Sequence, residues 1–328
     1  MFDVYGIGNA LVDTEYEVTD ELLIAASLPK GQMTLMNRQE REQLINLLER
    51  DHDVVKQAGG GSAANTLVAV AQLGGRGFYS CKVAADAIGD FFLEDLTSAG
   101  VKTNLDKTER SSDGTSGQCV SMITPDAERT LTTHLGISET LSPSELDRDA
   151  LTKSTYLYIE GYLVTSPTAM EAVREAQHIV RSAGGKVSIT LSDMSMVQGF
   201  GDIFTDLVDT GIDLIFCNEE EAMGWTQTSS RSDALNRLRA VCQKIVITCG
   251  SDGALVYDGS CEVFVPGVPI NAVDTTGAGD IFAGAFLYGI TAGLNFEGAA
   301  TLANRAASRL VSAFGARLEK SQVDTLLA

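Results

Sequence analysis

Residues 274–280 are DTTGAGD, and the apolar run IFAGAFLYGI follows directly at 281–290. The apolar run predicts a buried helix, which begins within the small residues of the motif. Amide groups at a helix start lack partners within the helix, the dipole is positive there, and glycine lets an anion approach. We therefore expect an anion hole of backbone amides beside a carboxylate. The residues concerned are Gly277, Ala278, Gly279 and Asp280.

A hole of this kind next to a carboxylate base is what phosphoryl transfer to an alcohol needs. The base takes the hydroxyl proton while the amides hold charge on the moving phosphoryl group. An ordinary helix start, with Asp280 as a partner of the helix dipole, is the alternative interpretation. The chain has no Gly-x-x-x-x-Gly-Lys-Ser/Thr sequence and no protein-kinase catalytic loop, so these two phosphotransferase scaffolds are excluded.

Two glycine-containing segments in the first quarter of the chain suit the binding of hydroxyl groups. Residues 59–65, GGGSAAN, place Gly60 and Gly61 before a helix that carries Asn65, a donor and acceptor; a tight strand-to-helix turn is the alternative. Residues 6–13, GIGNALVD, lack the third glycine of a dinucleotide fingerprint. Their acid, Asp13, is able to accept hydrogen bonds from a vicinal diol, or is simply a solvated turn acid.

Two segments of the second half are candidates for a nucleotide and its metal ion. Residues 248–253, TCGSDG, lie between two predicted strands and form either a loop lining a nucleotide or a glycine-rich hairpin. Residues 218–221, NEEE, follow another predicted strand. Carboxylates at the end of a parallel strand suit Mg²⁺, often through water, although a charged helix start explains them equally well.

The charged residues of the chain limit the classes of partner that we expect it to bind. The 328 residues include 24 Lys and Arg against 44 Asp and Glu, a net charge of -20. So acidic a chain repels a phosphate backbone and an anionic membrane, so we expect neither a nucleic-acid nor a membrane partner. The N-terminus lacks the basic region of a signal peptide, and no apolar run approaches the ~20 residues of a membrane span. We therefore expect a cytoplasmic protein.

The pattern along the chain predicts one α/β domain with a small β excursion. After residue 143, short apolar strands alternate with helices of roughly ten to fifteen residues, which favours a mainly parallel sheet between helices. Residues 115–135 instead alternate polar and apolar side chains around a turn at 125–126, as in an antiparallel hairpin. With strands near residues 16 and 34, this hairpin would form a separate small sheet.

Together, and in this order, these motifs resemble those of the ribokinase-like (PfkB) carbohydrate kinase family over nearly the whole chain. GGGSAANT at 59–66 and DTTGAGD resemble its two signatures, and 218–221 and 248–253 resemble its Asn-x-x-Glu and nucleotide-loop motifs. The resemblance implies a three-layer sandwich with a mainly parallel central sheet, in a single domain spanning 1–328. It also implies a discontinuous β lid from approximately 14–36 and 106–135.

The resemblance also implies the chemistry, namely transfer of the γ-phosphoryl group of ATP to a hydroxymethyl group with Asp280 as general base. Mg²⁺ is implied, and parts of the family need a monovalent cation such as K⁺. Substrate hydroxyls would be held by Asp13, Gly60, Gly61 and Asn65. Thr248, Gly250, Gly253 and Asn304 would border ATP, with Asn218 and Glu221 organising phosphates and Mg²⁺, the latter through water. Arg129 would reach phosphates or substrate from the lid.

The substrate implied is a nucleoside. GIGNALVD and the hairpin ending in ERTLTTHLG at 128–136 resemble the adenosine kinase branch more than fructokinases or ribokinases. An apolar slot for the base is expected, with Tyr162 either stacking on a purine or packing in the core. The candidates are Met33, Leu35, Leu135 and Tyr162. Adenosine is the predicted acceptor, at its 5′-hydroxyl and in purine salvage, with inosine or guanosine also compatible.

Two other functions compete with this prediction. A sugar kinase acting on ribose, fructose or a related polyol would use the same scaffold. A binding protein that senses a nucleoside without catalysis would keep the fold, although it would not need the carboxylate of Asp280. The sequence leaves monomer and homodimer open, since an exposed lid sheet is able to pair edge to edge.

Overall fold

Two β-sheets organise the chain, whose computed structural model describes residues 1–106, 109–126 and 128–327. The strands are β1 Phe2–Ile7, β2 Leu11–Glu17, β3 Met33–Leu35, β4 Val54–Gly60, β5 Gly77–Ser80, β6 Gly117–Ile123, β7 Arg129–His134, β8 Ser154–Ile159, β9 Lys186–Thr190, β10 Leu214–Asn218, β11 Lys244–Thr248, β12 Gly253–Tyr257 and β13 Glu262–Pro266.

Helices connect and cover these strands. They are α1 Asp20–Ala25, α2 Arg38–Asp51, α3 Ser62–Gln72, α4 Ala87–Ser98, α5 Arg148–Thr152, α6 Pro167–Ser182, α7 Met194–Asp209, α8 Glu219–Thr226, α9 Arg231–Leu238, α10 Ala278–Thr291, α11 Phe296–Val311 and α12 Lys320–Leu327. Short 3-10 helices lie at Gly136–Thr140, Pro143–Glu145, Gly161–Thr165 and Gly250–Asp252. None of the helices described is both long and apolar enough to span a membrane.

The central sheet has the strand order β13-β12-β11-β10-β9-β8-β1-β5. The strands from β11 to β5 are parallel, and β12 and β13 are antiparallel. The predicted mainly parallel sheet is therefore confirmed. Strand β13 escaped prediction because its side chains alternate little in polarity and remain mostly exposed at the sheet edge.

Helices cover both faces of this sheet and give three layers. In β1, the side chain of Val4 belongs to one buried cluster and that of Tyr5 to another, because successive strand residues point to opposite faces. The first cluster includes residues of α3, α10 and α11, and the second includes residues of α6, α7 and α9. The predicted sandwich is thus present, with one core on each side of the sheet.

The second sheet has the order β3-β7-β6-β2-β4 and its own small core, which includes Tyr16, Leu48 and Met122. The hairpin predicted within 115–135 is formed by β6 and β7, which pair antiparallel. Strand β4 lies outside both predicted lid segments, and β2 begins at Leu11, before the first of them. Val54 and Val55 predict a strand here, which the structure confirms, but its place in the second sheet depends on its pairing with β2.

The carboxyl ends of the parallel strands meet at one edge of the central sheet, and ligands of open α/β sheets bind at such an edge. Strand β8 ends just before Glu160, β10 ends at Asn218, and β11 ends at Thr248. The register of the pairing sets Asn218 of β10 opposite Thr248 of β11. Polar side chains from distant parts of the chain therefore share this edge.

Candidate active site

A cleft of ≈ 1110 Å³ opens at this edge and is also lined by residues of the second sheet. Residues of both glycine-rich motifs, GGGSAAN at 59–65 and DTTGAGD at 274–280, line this cleft. The predicted site residues that line it are Asp13, Gly61, Asn65, Tyr162, Asn218, Glu221, Thr248, Gly277, Ala278, Gly279 and Asp280. Five other predicted residues are not among its lining residues, namely Gly60, Arg129, Gly250, Gly253 and Asn304.

Asp280 lies in the first turn of α10, and two residues of α3 donate hydrogen bonds to its carboxylate, one to each oxygen. Ser62 Oγ donates to its Oδ1 at 2.6 Å, and Asn65 Nδ2 donates to its Oδ2 at 3.1 Å. Burial raises the pKa of Asp280 to about 6, while these two bonds and the charge of Arg317 oppose the shift. The group is therefore a stronger base than an ordinary aspartate, yet it is mostly ionised at neutral pH.

In the turn before Asp280, one of the three predicted amides already has a partner within the chain. Gly277 caps α10 with φ +75°, and a Cβ there would lie 2.8 Å from the carbonyl oxygen of Ala316, so glycine is required. The Ala278 amide donates to the carbonyl of Thr275 at 3.2 Å. The amides of Gly277, Gly279 and Asp280 meet no acceptor among the described residues, so they are available for the predicted anion hole.

Asp13 of β2 lies in the cleft wall, where burial raises its pKa to about 6. The neighbouring glycines are explained by packing within the chain. A Cβ on Gly60 would lie 2.5 Å from Asp13 Oδ2, and a Cβ on Gly61, which has φ +97°, would collide with the carbonyl of Asn9. The close approach thus brings the Asp13 carboxylate beside the start of α3.

Arg129 of β7 is directed to acids outside the cleft lining. Its guanidinium lies 3.4 Å from Glu15 and 3.6 Å from Asp274, and it stacks over Phe314 at 5.1 Å. Asp274 also accepts the amides of Thr276 and Gly315 at 2.9 and 3.0 Å. Arg129 therefore ties the second sheet to the loop before α10, and contact with a phosphate remains a prediction for it.

Asn218 and Glu221 form a reciprocal helix cap at the start of α8. Asn218 Nδ2 donates to Glu221 Oε1 at 2.6 Å, and the Glu221 amide donates to Asn218 Oδ1 at 2.8 Å. Burial raises the pKa of Glu221 to about 7. Within 1–106, 109–126 and 128–327, no three His, Cys, Asp or Glu residues are close enough to hold a metal ion. A role for Glu221 in organising Mg²⁺ through water remains a prediction.

The other predicted nucleotide residues have structural roles in the turns around β11 to β13. Gly253 has φ +124° and packs against the carbonyl of Val265, and Gly250 has φ +56°. Asn304 of α11 donates to the carbonyls of Val265 and Pro266 at 3.1 and 3.0 Å. These contacts fix strand β13 against α11, and a contact with ATP remains a prediction for all three residues.

The predicted base slot lies at the second-sheet end of the cleft. All four of its candidate residues line the cleft, together with Leu11 and Cys119. Met33 and Leu35 belong to β3, and both side chains are more than half exposed, at 57% and 65%. Exposed apolar side chains beside a cleft suit an apolar ligand surface.

Three site residues escaped prediction from the sequence. Ser62 follows the glycines directly, and because a serine at a helix start is ordinary, the sequence gives no signal for its contact with Asp280. Glu160 is 1% exposed and accepts bonds from the Asn9 amide, Asn9 Nδ2 and the Ala63 amide. Arg317 donates from Nε to Asn65 Oδ1 at 2.9 Å. A charge inside an apolar strand end (YIEGY at 158–162) was the available signal for Glu160.

Comparison with known proteins finds a matching family and several similar proteins. Residues 33–322 match the model of the pfkB family carbohydrate kinases. The aminoimidazole riboside kinase of Salmonella typhimurium is 30% identical over 74% of this chain and 77% of its own length. The adenosine kinase of Saccharomyces cerevisiae is 28% identical over 89% of each chain.

A solved structure extends the likeness to nearly the whole fold. The adenosine kinase from Sinorhizobium meliloti superposes with a TM-score of 0.87 at 35% identity, covering 99% of this chain and 98% of that one. Its central sheet and flanking helices correspond to those described above. This chain belongs to the pfkB family of carbohydrate kinases and is accordingly a phosphotransferase.

Proposed function

We propose that this kinase transfers the γ-phosphoryl group of ATP to the 5′-hydroxyl of a nucleoside, with adenosine as the preferred acceptor. The observation that carries the proposal is the Asp280 carboxylate, held by Ser62 and Asn65 in the cleft wall beside unpartnered amides. With adenosine as acceptor the protein would act in purine salvage, in the cytoplasm. The names of two similar proteins, an adenosine kinase and a riboside kinase, support a nucleoside.

In the proposed mechanism, Asp280 accepts the proton of the acceptor hydroxyl as its oxygen bonds to the γ-phosphorus of ATP, and the bond from that phosphorus to the bridging oxygen breaks to release ADP. The amides of Gly279 and Asp280 donate to the phosphoryl oxygens, where negative charge is held during transfer. Ser62 and Asn65 keep both carboxylate oxygens oriented, so the base need not reorganise. Mg²⁺, when bound with the nucleotide, neutralises phosphate charge.

The acceptor is proposed to lie between α3 and the second sheet. Asp13 accepts hydrogen bonds from its ribose hydroxyls, and both Asp13 and Asp280 line the cleft. The base lies among Met33, Leu35 and Leu135, with Tyr162 across the cleft. The second sheet acts as a lid that excludes water from the phosphoryl group.

A panel of acceptors tests this proposal. Adenosine, inosine, guanosine, ribose and fructose are compared with ATP and Mg²⁺, and kcat/KM is the deciding number because each substrate competes through its transition state. We expect the highest value for adenosine, with AMP as product. A higher value for ribose or fructose would identify a sugar kinase instead. Saturable nucleoside binding without ATP consumption would favour the non-catalytic alternative.

A further inference from the structure

Arg317 lies in the loop between α11 and α12, and its guanidinium contacts a side chain that lines the cleft. It donates from Nε to Asn65 Oδ1 at 2.9 Å and from Nη1 to Asp95 Oδ2. Its side chain is only 15% exposed, and its Nη2 is buried without an acceptor among the described residues. A buried cation in this position needs an explanation, because taking a charge out of water is costly.

The first part of the explanation is the orientation of an amide. Arginine has donors only, so its Nε is able to meet only the oxygen of Asn65. That contact turns Asn65 Nδ2 towards Asp280, to which it donates at 3.1 Å. Arg317 itself is anchored on α4 through Asp95. A continuous chain of bonds therefore runs from α4 through Arg317 and Asn65 to the carboxylate of Asp280.

The second part is charge. Arg317 lowers the pKa of both Asp13 and Asp280, against the effect of their burial. Around it lie carboxylates from three elements, namely Asp13 of β2, Asp95 of α4 and Asp280 of α10. Other charged or titratable groups near this cluster are Glu15, Lys56 of β4 near Gly315, Cys119, Glu160, Tyr79, Tyr158 and Tyr162.

We infer that Arg317 is a positioning residue for the phosphoryl-transfer step, orienting Asn65 on Asp280 and placing a positive charge near the carboxylates of the site. The inference rests on the proposed role of Asp280 as base. It goes beyond that proposal because Arg317 is not among the residues that line the cleft. It acts through Asn65 and through its charge, and touches neither substrate.

Two substitutions separate the two contributions. Arg317→Gln removes the charge, so the pKa of Asp280 rises and the acid limb of the kcat profile moves to higher pH by about half a unit to one unit. The loss of kcat, about 10-fold or more at pH 8, is therefore several-fold larger at pH 6. Arg317→Lys keeps the positive charge, so the acid limb of the kcat profile stays in place. The single ammonium nitrogen of lysine is unable to bond to both Asn65 and Asp95 as the guanidinium does, so kcat still falls by about 3- to 10-fold.

Arg76→Gln is the matched control, since Arg76 pairs with Asp3 at the amino end of the central sheet, opposite the site. We expect it to leave kcat and the pH profile unchanged. Loss of activity by the same factor at every pH in Arg317→Gln would show a merely structural role and overturn the inference. So would Arg317→Lys with the wild-type kcat, a test that stands even where the Gln variant fails to fold.

A parallel Asp280→Asn variant keeps the two proposals distinct. If that variant is inactive while Arg317→Gln behaves like the wild type, the positioning role fails and the proposed function stands. If Asp280→Asn retains near-normal turnover, the proposed base itself is wrong. Thermal unfolding of each variant at the assay pH shows whether a loss of kcat comes from loss of fold.

Discussion

Asn65 Nδ2 lies 3.1 Å from Asp280 Oδ2, and this bond joins two motifs that are 215 residues apart in the chain. It links the first turn of α3 to the first turn of α10, whose helices pack closely. A Cβ on Gly284 of α10 would lie 2.5 Å from the carbonyl oxygen of Thr66 in α3. The two glycine-rich segments therefore form one site because the helices that follow them pack side by side.

The anion hole is tested by Gly279→Ala. Gly279 is in the first turn of α10, its φ is not positive, and a Cβ there meets nothing within 4 Å. The substitution therefore costs the fold nothing, and helix propensity favours alanine by up to about 1 kcal/mol. We expect an unchanged or slightly higher Tm together with a kcat at least about 10-fold lower, because the methyl group faces the incoming phosphoryl group.

Gly199→Ala is the matched control for that substitution. Gly199 is also helical, in α7, and a Cβ there likewise meets nothing within 4 Å. We expect it to keep the wild-type kcat. Equal activity of both alanine variants would contradict the placement of phosphoryl transfer at the start of α10.

The base slot is tested by Tyr162→Ala. If the ring packs on a purine, its removal raises KM for adenosine by about 10-fold or more, while any activity on ribose is unaffected because ribose has no base. Tyr257→Ala, on β12 in the central sheet, is the control and should leave both values unchanged. An equal effect of Tyr162→Ala on both acceptors would indicate that Tyr162 serves packing alone.

The buried acid Glu160 predicts a pH-dependent stability. Burial raises its pKa to about 7 in the folded protein, so the fold favours the protonated form. Its contribution to stability is therefore fully present below its unfolded value near 4.5 and is lost as the pH rises through 7. Glu160→Gln does not titrate, so the wild type's advantage in Tm over this variant should shrink between pH 5 and pH 8. An advantage that grows with pH would contradict the raised pKa.

Closure of the second sheet over the cleft predicts a low ATPase activity without acceptor. Water would otherwise replace the hydroxyl group, and a closed lid excludes it. ADP release with ATP and Mg²⁺ alone should be slow and should rise sharply when adenosine is added. Asp280→Asn prepared in the same way controls for contaminating ATPases. A high basal rate would mean that closure is not coupled to the acceptor.

Local patterns in the sequence were enough to predict the layers of the fold. The family resemblance was needed to assign the two glycine-rich motifs to one site. DTTGAGD and the run after it predict the start of α10, and the 3.6- and 2-residue periods predict most helices and strands. The missed parts depend on tertiary contacts. The place of β4 in the second sheet depends on its pairing with β2, and Asn304 faces the carbonyls of β13 only in the packed structure. Arg317 gains its role from Asn65, which is 252 residues away.

The pH behaviour of the site depends in the same way on packing. The sequence around Asp13 and Asp280 does not predict the raised pKa of either carboxyl group. Their pKa values rise because helices and the second sheet remove water from them, and Arg317 limits the rise. Burial by distant segments and the charge of Arg317 therefore act together on the protonation of Asp280.

The most direct measurement is kcat for Asp280→Asn beside the wild type, with ATP, Mg²⁺ and saturating adenosine at pH 8, accompanied by thermal unfolding of both proteins. Asparagine keeps the size of the side chain but is unable to accept the hydroxyl proton. We predict a kcat lower by about 10³-fold or more with a Tm no lower than that of the wild type. A folded variant that turns over within a few-fold of the wild-type rate would contradict the assignment of Asp280 as the base.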